Sequence, residues 1–156
     1  MKEIGLVLLG FVISLVPVLF ERRRRAKAHW SALSAEADIS GRLAGIYLRD
    51  KVAAPLYRLP VEAFTVSFPA LLADGAIAKD EITDLAWFWG RVQDINRGLD
   101  NANSAANSDE SDRLAREANR LELKCRDLLE GSGGKEGSAE TVRRILESHA
   151  PSKRVG

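Results

Sequence analysis

The chain opens with one uninterrupted run of apolar and small residues. Ile4–Phe20 carries no charged side chain, whereas a helix on the surface of a water-soluble protein keeps one polar face. This run of 17 residues would form about 25 Å of helix, which is close to the thickness of a bilayer core. The pattern therefore predicts that residues 1–20 are a transmembrane anchor.

A second pattern begins soon after this run, where apolar residues recur every three or four positions, as on one face of an amphipathic helix. It predicts a helix from Glu21 to about Ala53 that continues the anchor through a basic juxtamembrane segment, residues 21–54. Gly41 and Gly45 are expected to allow a neighbouring helix to approach closely. The predicted face consists of Trp30, Leu33, Ala37, Ala44 and Tyr47, widened by Ile39, Leu43 and Ile46.

The next segment contains prolines and a glycine, which end helices and form turns. Pro55 and Pro60 are predicted to end the long helix. Leu56–Gly75 is predicted to be a short helix-turn-helix insert. In this insert, Pro69 would lie in the first turn of the second helix and Gly75 would form its C-terminal cap.

Two longer helices are predicted to complete a helical domain over residues 55–130. They run from Asp80 to about Asp100 and from about Asp109 to Glu130, and the polar segment 101–108 is predicted to be the turn between them. Matched helices joined by a short loop are typical of an antiparallel coiled-coil hairpin. The predicted fold class is therefore all-α, with one transmembrane helix that continues into a cytoplasmic helical bundle.

The C-terminal region is predicted to be only partly structured. Residues 131–138, GSGGKEGS, have the composition of a flexible linker. Residues 139–156 are predicted to hold one short helix, Ala139–His149, and a disordered tail. A helix this short is unstable alone in water. It therefore docks on the bundle, docks on a partner or frays, and the sequence leaves these three outcomes open.

The charges that flank the apolar run predict its orientation. Only Lys2, Glu3 and the amino terminus precede it, whereas a basic block follows it. Basic flanks stay on the cytoplasmic side, so the N terminus is expected outside the membrane and the C-terminal region in the cytoplasm. A cleaved signal peptide would show the reverse order of charge. The basic block, which is also expected to bind anionic lipid headgroups, consists of Arg22, Arg23, Arg24, Arg25 and Lys27.

Composition argues against several functions. Past residue 27 the chain holds 17 basic and 20 acidic residues, a net charge of about −3, which argues against a nucleic-acid partner. The single cysteine, Cys125, cannot form an internal disulfide and is expected to be buried. His29 and His149 do not have a metal-ligand spacing. Because no catalytic set or phosphate loop is recognisable, no enzyme activity, metal, cofactor or small-molecule substrate is predicted.

Three consecutive aromatic residues, Trp87, Phe88 and Trp89, lie on the first helix of the predicted hairpin. They turn through about 200° of the helix, so one core cannot enclose all three. Trp89 aligns with the apolar face, whereas Trp87 aligns with the polar face that holds Arg91. Trp87 is expected to stack on Arg91, to contact a partner, or to be covered by the preceding insert. Trp87 and Arg91 are therefore the candidate partner contact.

Three short segments give the first hundred residues a resemblance to a known kind of protein. These are Tyr57–Pro60 (YRLP), Phe68–Gly75 (FPALLADG) and Ile95–Asp100 (INRGLD). With them in view, the chain resembles uncharacterised small single-pass inner-membrane proteins of bacteria. The resemblance implies a bacterial inner membrane, and it supplies no activity and no functional residues.

Together these patterns favour a membrane-anchored, non-enzymatic helical interaction or scaffold protein at the cytoplasmic face. It would self-associate as a homo-oligomer or serve as an accessory subunit of a membrane complex, with the anionic bilayer surface as a further partner. The alternative is a periplasm-facing anchored coiled coil of the envelope or phage-lysis type. The position of the basic block argues against that alternative.

Overall fold

The computed structural model describes the backbone of residues 2–51, 57–107, 111–131 and 137–150, with side chains from Val16 onwards. All regular secondary structure in these ranges is helical, which confirms the predicted all-α class. The five helices are α1 (Lys2–Asp50), α2 (Glu62–Ala73), α3 (Lys79–Ala106), α4 (Ser111–Glu130) and α5 (Ala139–His149).

The first helix, α1, runs without a break from Lys2 to Asp50 and passes through Pro17. Its last residue, Asp50, is close to the predicted Ala53, and the next residue, Lys51, has a left-handed φ of 47°. No helix within the described residues is long and apolar enough to cross a membrane. The side chains of residues 4–15, which make up most of the predicted span, lie outside the described part.

Only one side of α1 faces the bundle. The predicted core residues Trp30, Leu33, Ala44 and Tyr47 are buried and Ala37 is partly buried. The expectation that Ile39 and Ile46 widen this face is wrong, because both are exposed, and only Leu43 packs at its edge. Gly41 and Gly45 have no other atoms near the position of an added Cβ. No helix of the described part therefore approaches α1 closely at these glycines, and Gly41 instead lines an open groove beside α5.

A buried carboxylate joins the first three helices. Glu36 of α1 is 5% exposed, and its oxygens accept hydrogen bonds from the backbone N–H groups of Ala63 (2.6 Å) and Phe64 (2.9 Å) in the first turn of α2. The indole N–H of Trp89 on α3 donates a third hydrogen bond over 2.8 Å. The first-turn N–H groups of a helix lack partners within the helix and carry positive partial charge. Glu36 therefore serves as the N-terminal cap that α2 does not find in its own sequence.

This cap explains why the predicted helix-turn-helix insert is wrong. α2 is a single helix that starts at Glu62, and Pro69 lies inside it rather than in a first turn. The predicted C-terminal cap at Gly75 is observed, with a φ of 62°. The N–H of Gly75 donates to the carbonyl of Leu72, and the next N–H, of Ala76, donates to the carbonyl of Leu71. This pair of bonds is a Schellman motif.

α3 and α4 form an antiparallel hairpin, because their contacts pair residues in reverse order. Arg91 contacts Asp127, and the Lys124 ammonium donates to the carbonyl of Asp94. The predicted turn at residues 101–108 is mostly wrong, since α3 continues to Ala106. Ala102 and Ala105 are buried, so the core face extends through this asparagine-rich stretch, although residues 108–110 lie outside the described part.

Asn96 of α3 fixes the segment that precedes α2. Its side-chain oxygen accepts from the backbone N–H of Leu59, and its side-chain nitrogen donates to the Leu59 carbonyl, both over 2.8 Å. Leu59 is thereby held in the core. The amide of Asn96 matches a stretch of backbone that has no helical partners of its own.

The C-terminal helix docks on the bundle. α5 has the predicted bounds, Ser138 caps its N terminus, and Val142 and Leu146 are buried. At its other end the ring of His149 stacks on Trp30, with centroids 4.0 Å apart. Of the predicted linker, residues 132–136 lie outside the described part, whereas Gly137 and Ser138 are buried. The tail, residues 151–156, also lies outside it.

Removal of the Glu36 carboxylate is expected to loosen the junction of the first three helices. In the full chain in detergent, Glu36→Ala should lower the free energy of unfolding by about 3 to 5 kcal/mol, because it leaves three buried donors without an acceptor. Tryptophan fluorescence during urea unfolding reports this, since Trp30 and Trp89 are buried. The matched control is Asp38→Ala, which removes an exposed ion pair with Arg42 and should cost under about 1 kcal/mol. Equal effects of the two substitutions would contradict the role assigned to Glu36.

Candidate functional site

The segment of α1 from Val16 to Phe20 is apolar and exposed on all sides. Each residue from Val16 to Phe20 is exposed, including Pro17. Five consecutive helical residues turn through more than a full circle, so no single face of this segment is turned towards the bundle. The first buried residue on α1 is Trp30 among those whose side chains are described. A mostly charged and exposed stretch, in which Ala26 and His29 are partly buried, therefore separates the apolar segment from the core.

The predicted basic block lies in this stretch. All five of its members are exposed. Arg25 pairs with Glu21 one turn away on the same helix, over 3.1 Å. Arg22 reaches across to α2, where it lies 3.3 Å from the carboxylate of Asp74 and also donates to the Asp74 carbonyl. The side chains of the block therefore point to all sides of α1, and one of them contacts the C-terminal end of α2.

Trp87 and Arg91, the other predicted site residues, lie together on α3. Trp87 is 57% exposed, and the Arg91 guanidinium carbon lies 5.9 Å from the centre of its ring. The expected stacking on Arg91 is therefore observed. The Arg91 side chain is only 12% exposed, because its Nε lies 3.0 Å from a carboxylate oxygen of Asp127. Of the pair, it is Trp87 that presents surface to solvent.

Gly137 is the neighbour of Trp87 that the sequence does not reveal. Its N–H donates to the carboxylate of Asp84 over 2.7 Å, and its carbonyl accepts from Arg91 over 2.8 Å. It has a φ of 59°, and an added Cβ would lie 2.6 Å from the Cβ of Trp87. The backbone before α5 thus packs against the base of Trp87 and leaves its ring open. The predicted cover by Leu56–Gly75 is wrong, since that segment packs on the other side, against Glu36 and Trp89.

The signal for Gly137 was present but ambiguous. Positive φ and close approach both require glycine, yet the surrounding GSGGKEGS has the composition of a linker. Only the position of Gly137, directly before the Ser138 cap, distinguishes it from its neighbours. Gly137 therefore fixes the start of α5 against α3 and does not act as part of a flexible linker.

The side chains that could take part in a reaction are held in structural contacts. Cys125 is fully buried, and burial raises the pKa of its thiol from the ordinary 9.0 to about 11. Burial, and secondly Cys125, raise the pKa of Tyr47, whose hydroxyl donates to the carbonyl of Tyr57. His149 lies 2.9 Å from Glu81. Within the described ranges, no three His, Cys, Asp or Glu side chains are grouped as they would be around a metal ion.

A groove between α1 and α5 is one of several concave surfaces among the described residues. It has a volume of about 430 Å³ and an open mouth. Its lining carries charges of both signs, including Asp38 and Arg143, together with Leu146. Asp38 is already paired with Arg42 over 2.7 Å. Because the charges that line the groove offset one another, the groove favours neither an anionic nor a cationic ligand.

No protein-family profile, curated protein or solved structure matches the chain. Function is therefore inferred from the residues themselves.

The buried thiol predicts a change of stability at high pH. Between pH 9 and about 11 the thiol ionises in the unfolded chain but stays neutral in the folded one, so stability is complete below pH 9 and is lost as the pH rises. The loss should reach about 3 kcal/mol. Urea unfolding of the full chain in detergent, compared with Cys125→Ala at each pH, isolates this effect from other titrating groups. Identical pH profiles for the two proteins would contradict the prediction.

Proposed function

We propose that the protein is a single-pass, membrane-anchored, non-enzymatic helical scaffold whose bundle lies at the cytoplasmic face of a bacterial inner membrane. The observation that carries this proposal is the exposure of every residue from Val16 to Phe20. These apolar side chains continue the uncharged run that starts at Ile4. Helices in water cover at least one apolar face, and lipid is the surrounding that suits an apolar helix on all sides.

The continuity of α1 supports a rigid link between anchor and bundle. One helix extends from Lys2 to Asp50, so no flexible hinge separates the proposed span from the core residues that start at Trp30. The basic block between them supports a cytoplasmic position for the bundle. A periplasmic bundle would require that this block be moved across the membrane.

A non-enzymatic role is supported by how the polar groups are used. Cys125, the strongest potential nucleophile, is buried with a raised pKa, which disfavours the reactive thiolate. Glu36 accepts three hydrogen bonds from the protein itself. Groups that stabilise the fold in this way are not free to exchange protons with a substrate.

Trp87 is the proposed contact for a second copy or a neighbouring subunit. The indole of Trp89 donates to Glu36 of α1, and Trp87 lies two residues earlier on α3. Counting 1.5 Å per residue along α1 from Phe20 towards Glu36, Trp87 lies roughly 20 Å beyond the proposed span. The contact would thus be made in the cytoplasm. Tryptophan is enriched among the residues that dominate interface energies.

The orientation can be tested with reporters at the C terminus of the full chain. A fluorescent protein that matures only in the cytoplasm should be bright, and alkaline phosphatase, which is active only after export, should be inactive, because the basic block stays inside. Replacing Arg22–Arg25 with alanine should increase phosphatase activity, whereas the control Arg143→Ala with Arg144→Ala, far from the span, should not. Strong phosphatase activity on the natural sequence would overturn the proposed topology.

The contact surface can be tested by crosslinking in native membranes. If Trp87 is the contact, the natural chain should yield a crosslinked homo-oligomer or a fixed complex with one subunit, and Trp87→Ala should reduce its yield at least about fivefold, since interface tryptophans contribute 2 kcal/mol or more. Leu123→Ala is the matched control, because Leu123 is another large exposed apolar residue. A strict monomer, or a complex that both variants retain, would contradict the assignment.

A further inference from the structure

α2 has an apolar outer face that the described residues do not cover. Residues 63–73 include no charged side chain. Val66 is 66% exposed and Leu72 is 40% exposed, and Pro69 and Ala73 are exposed as well. A helix that faces water normally carries polar residues on its outer side. The composition of α2 therefore indicates an apolar neighbour along part of its length.

The contacts of α2 with α1 fix its position relative to the proposed span. His29 Nδ1 lies 3.0 Å from the hydroxyl of Ser67, and Arg22 pairs with Asp74. These pairs run in opposite directions along the two helices, so α2 is antiparallel to α1. Its C-terminal end consequently lies beside the basic block, and its N-terminal end points away from it.

This register places one turn of α2 at the height of the lipid headgroups. Leu72 is level with Arg24, which is roughly 6 Å beyond Phe20 at 1.5 Å per residue. The headgroup layer extends about 5–8 Å from the bilayer core on each side. Val66 is level with Trp30, roughly 15 Å beyond Phe20, so it would lie outside this layer. The membrane can therefore cover the C-terminal turn of α2 but not the whole helix.

We infer that the turn Leu72–Gly75 is a second membrane contact, in which Leu72 and Ala73 lie in the anionic headgroup layer beside α1. This inference rests on the proposed transmembrane anchor. The only acidic group in the turn, Asp74, is paired with Arg22, which offsets its repulsion from anionic lipid. The remaining arginines of the block attract the same headgroups.

A second contact would restrict the tilt of the bundle relative to the membrane. A single span leaves a protein free to tilt, since tilt is set by neighbours and interfacial residues. With α2 held against the lipid, the bundle would tilt towards the side that α2 occupies. Trp87, on α3, would then be held at a constant height above the membrane.

The inference can be tested by fluorescence quenching in vesicles of phosphatidylcholine and phosphatidylglycerol. The full chain carries Cys125→Ala and one new cysteine with an environment-sensitive fluorophore. The test sites are Leu72→Cys and its exposed neighbour Ala73→Cys. Leu123→Cys is the aqueous control, and Phe20→Cys reports the span. Circular dichroism checks that each labelled chain is folded.

Lipid with a headgroup nitroxide should quench the two α2 probes at least about twofold more than the Leu123 probe, because the headgroup layer is only 5–8 Å thick. If the Phe20 probe is quenched by acyl-chain nitroxides but the α2 probes behave like Leu123, the anchor stands and the inference is overturned. The same holds if the α2 probes are shielded from water yet insensitive to lipid quenchers, since a second copy would then cover them. An unquenched Phe20 probe would overturn the anchor itself.

Discussion

The arrangement of the bundle depends on one buried carboxylate. Glu36 accepts two hydrogen bonds from the first turn of α2 and one from the indole of Trp89. A carboxylate that receives several donors at the positive end of a helix is strongly held. It thereby fixes both the height of α2 on α1 and the position of α3. The same antiparallel register brings the C-terminal end of α2 beside Arg22, at the end of the bundle nearest the proposed span.

The second constraint is that α1 has to suit two surroundings. Its residues from Val16 to Phe20 are apolar and exposed on every side, whereas the residues from Trp30 onwards bury one face against the other helices. Because the helix is continuous, its rise converts sequence position into distance from the proposed span. Leu72 and Trp87 are assigned distances from the proposed span in this way, and Leu72 is the nearer of the two.

The sequence predicts those features of the fold that depend on neighbouring residues in the chain. The bounds of α5, the glycine cap after α2 and most of the buried face of α1 follow from periodicity and capping rules. It does not reveal Glu36 or Gly137, because their roles are contacts between helices distant in sequence. Tertiary contacts also override local signals: Glu36 starts α2 upstream of Pro69, and buried Ala102 and Ala105 keep an asparagine-rich stretch helical. The helical angle between Trp87 and Trp89 is enough to predict that Trp87 lies on the outer face. Its neighbour Gly137 is identified only by the fold.

The most direct test of a helix that leaves lipid and enters the bundle is a nitroxide scan along α1. Single spin labels from Ser14 to Ser34, in vesicles, report collision with oxygen, which concentrates in lipid, and with a water-soluble nickel chelate. We expect uniformly high oxygen access up to Phe20, a change to nickel access across Arg22–Arg25 except where α2 packs at Arg22, and a periodicity of about 3.6 residues established by Trp30. A periodicity of about 3.6 residues already present before Phe20, with nickel access on one face, would contradict a membrane-spanning α1.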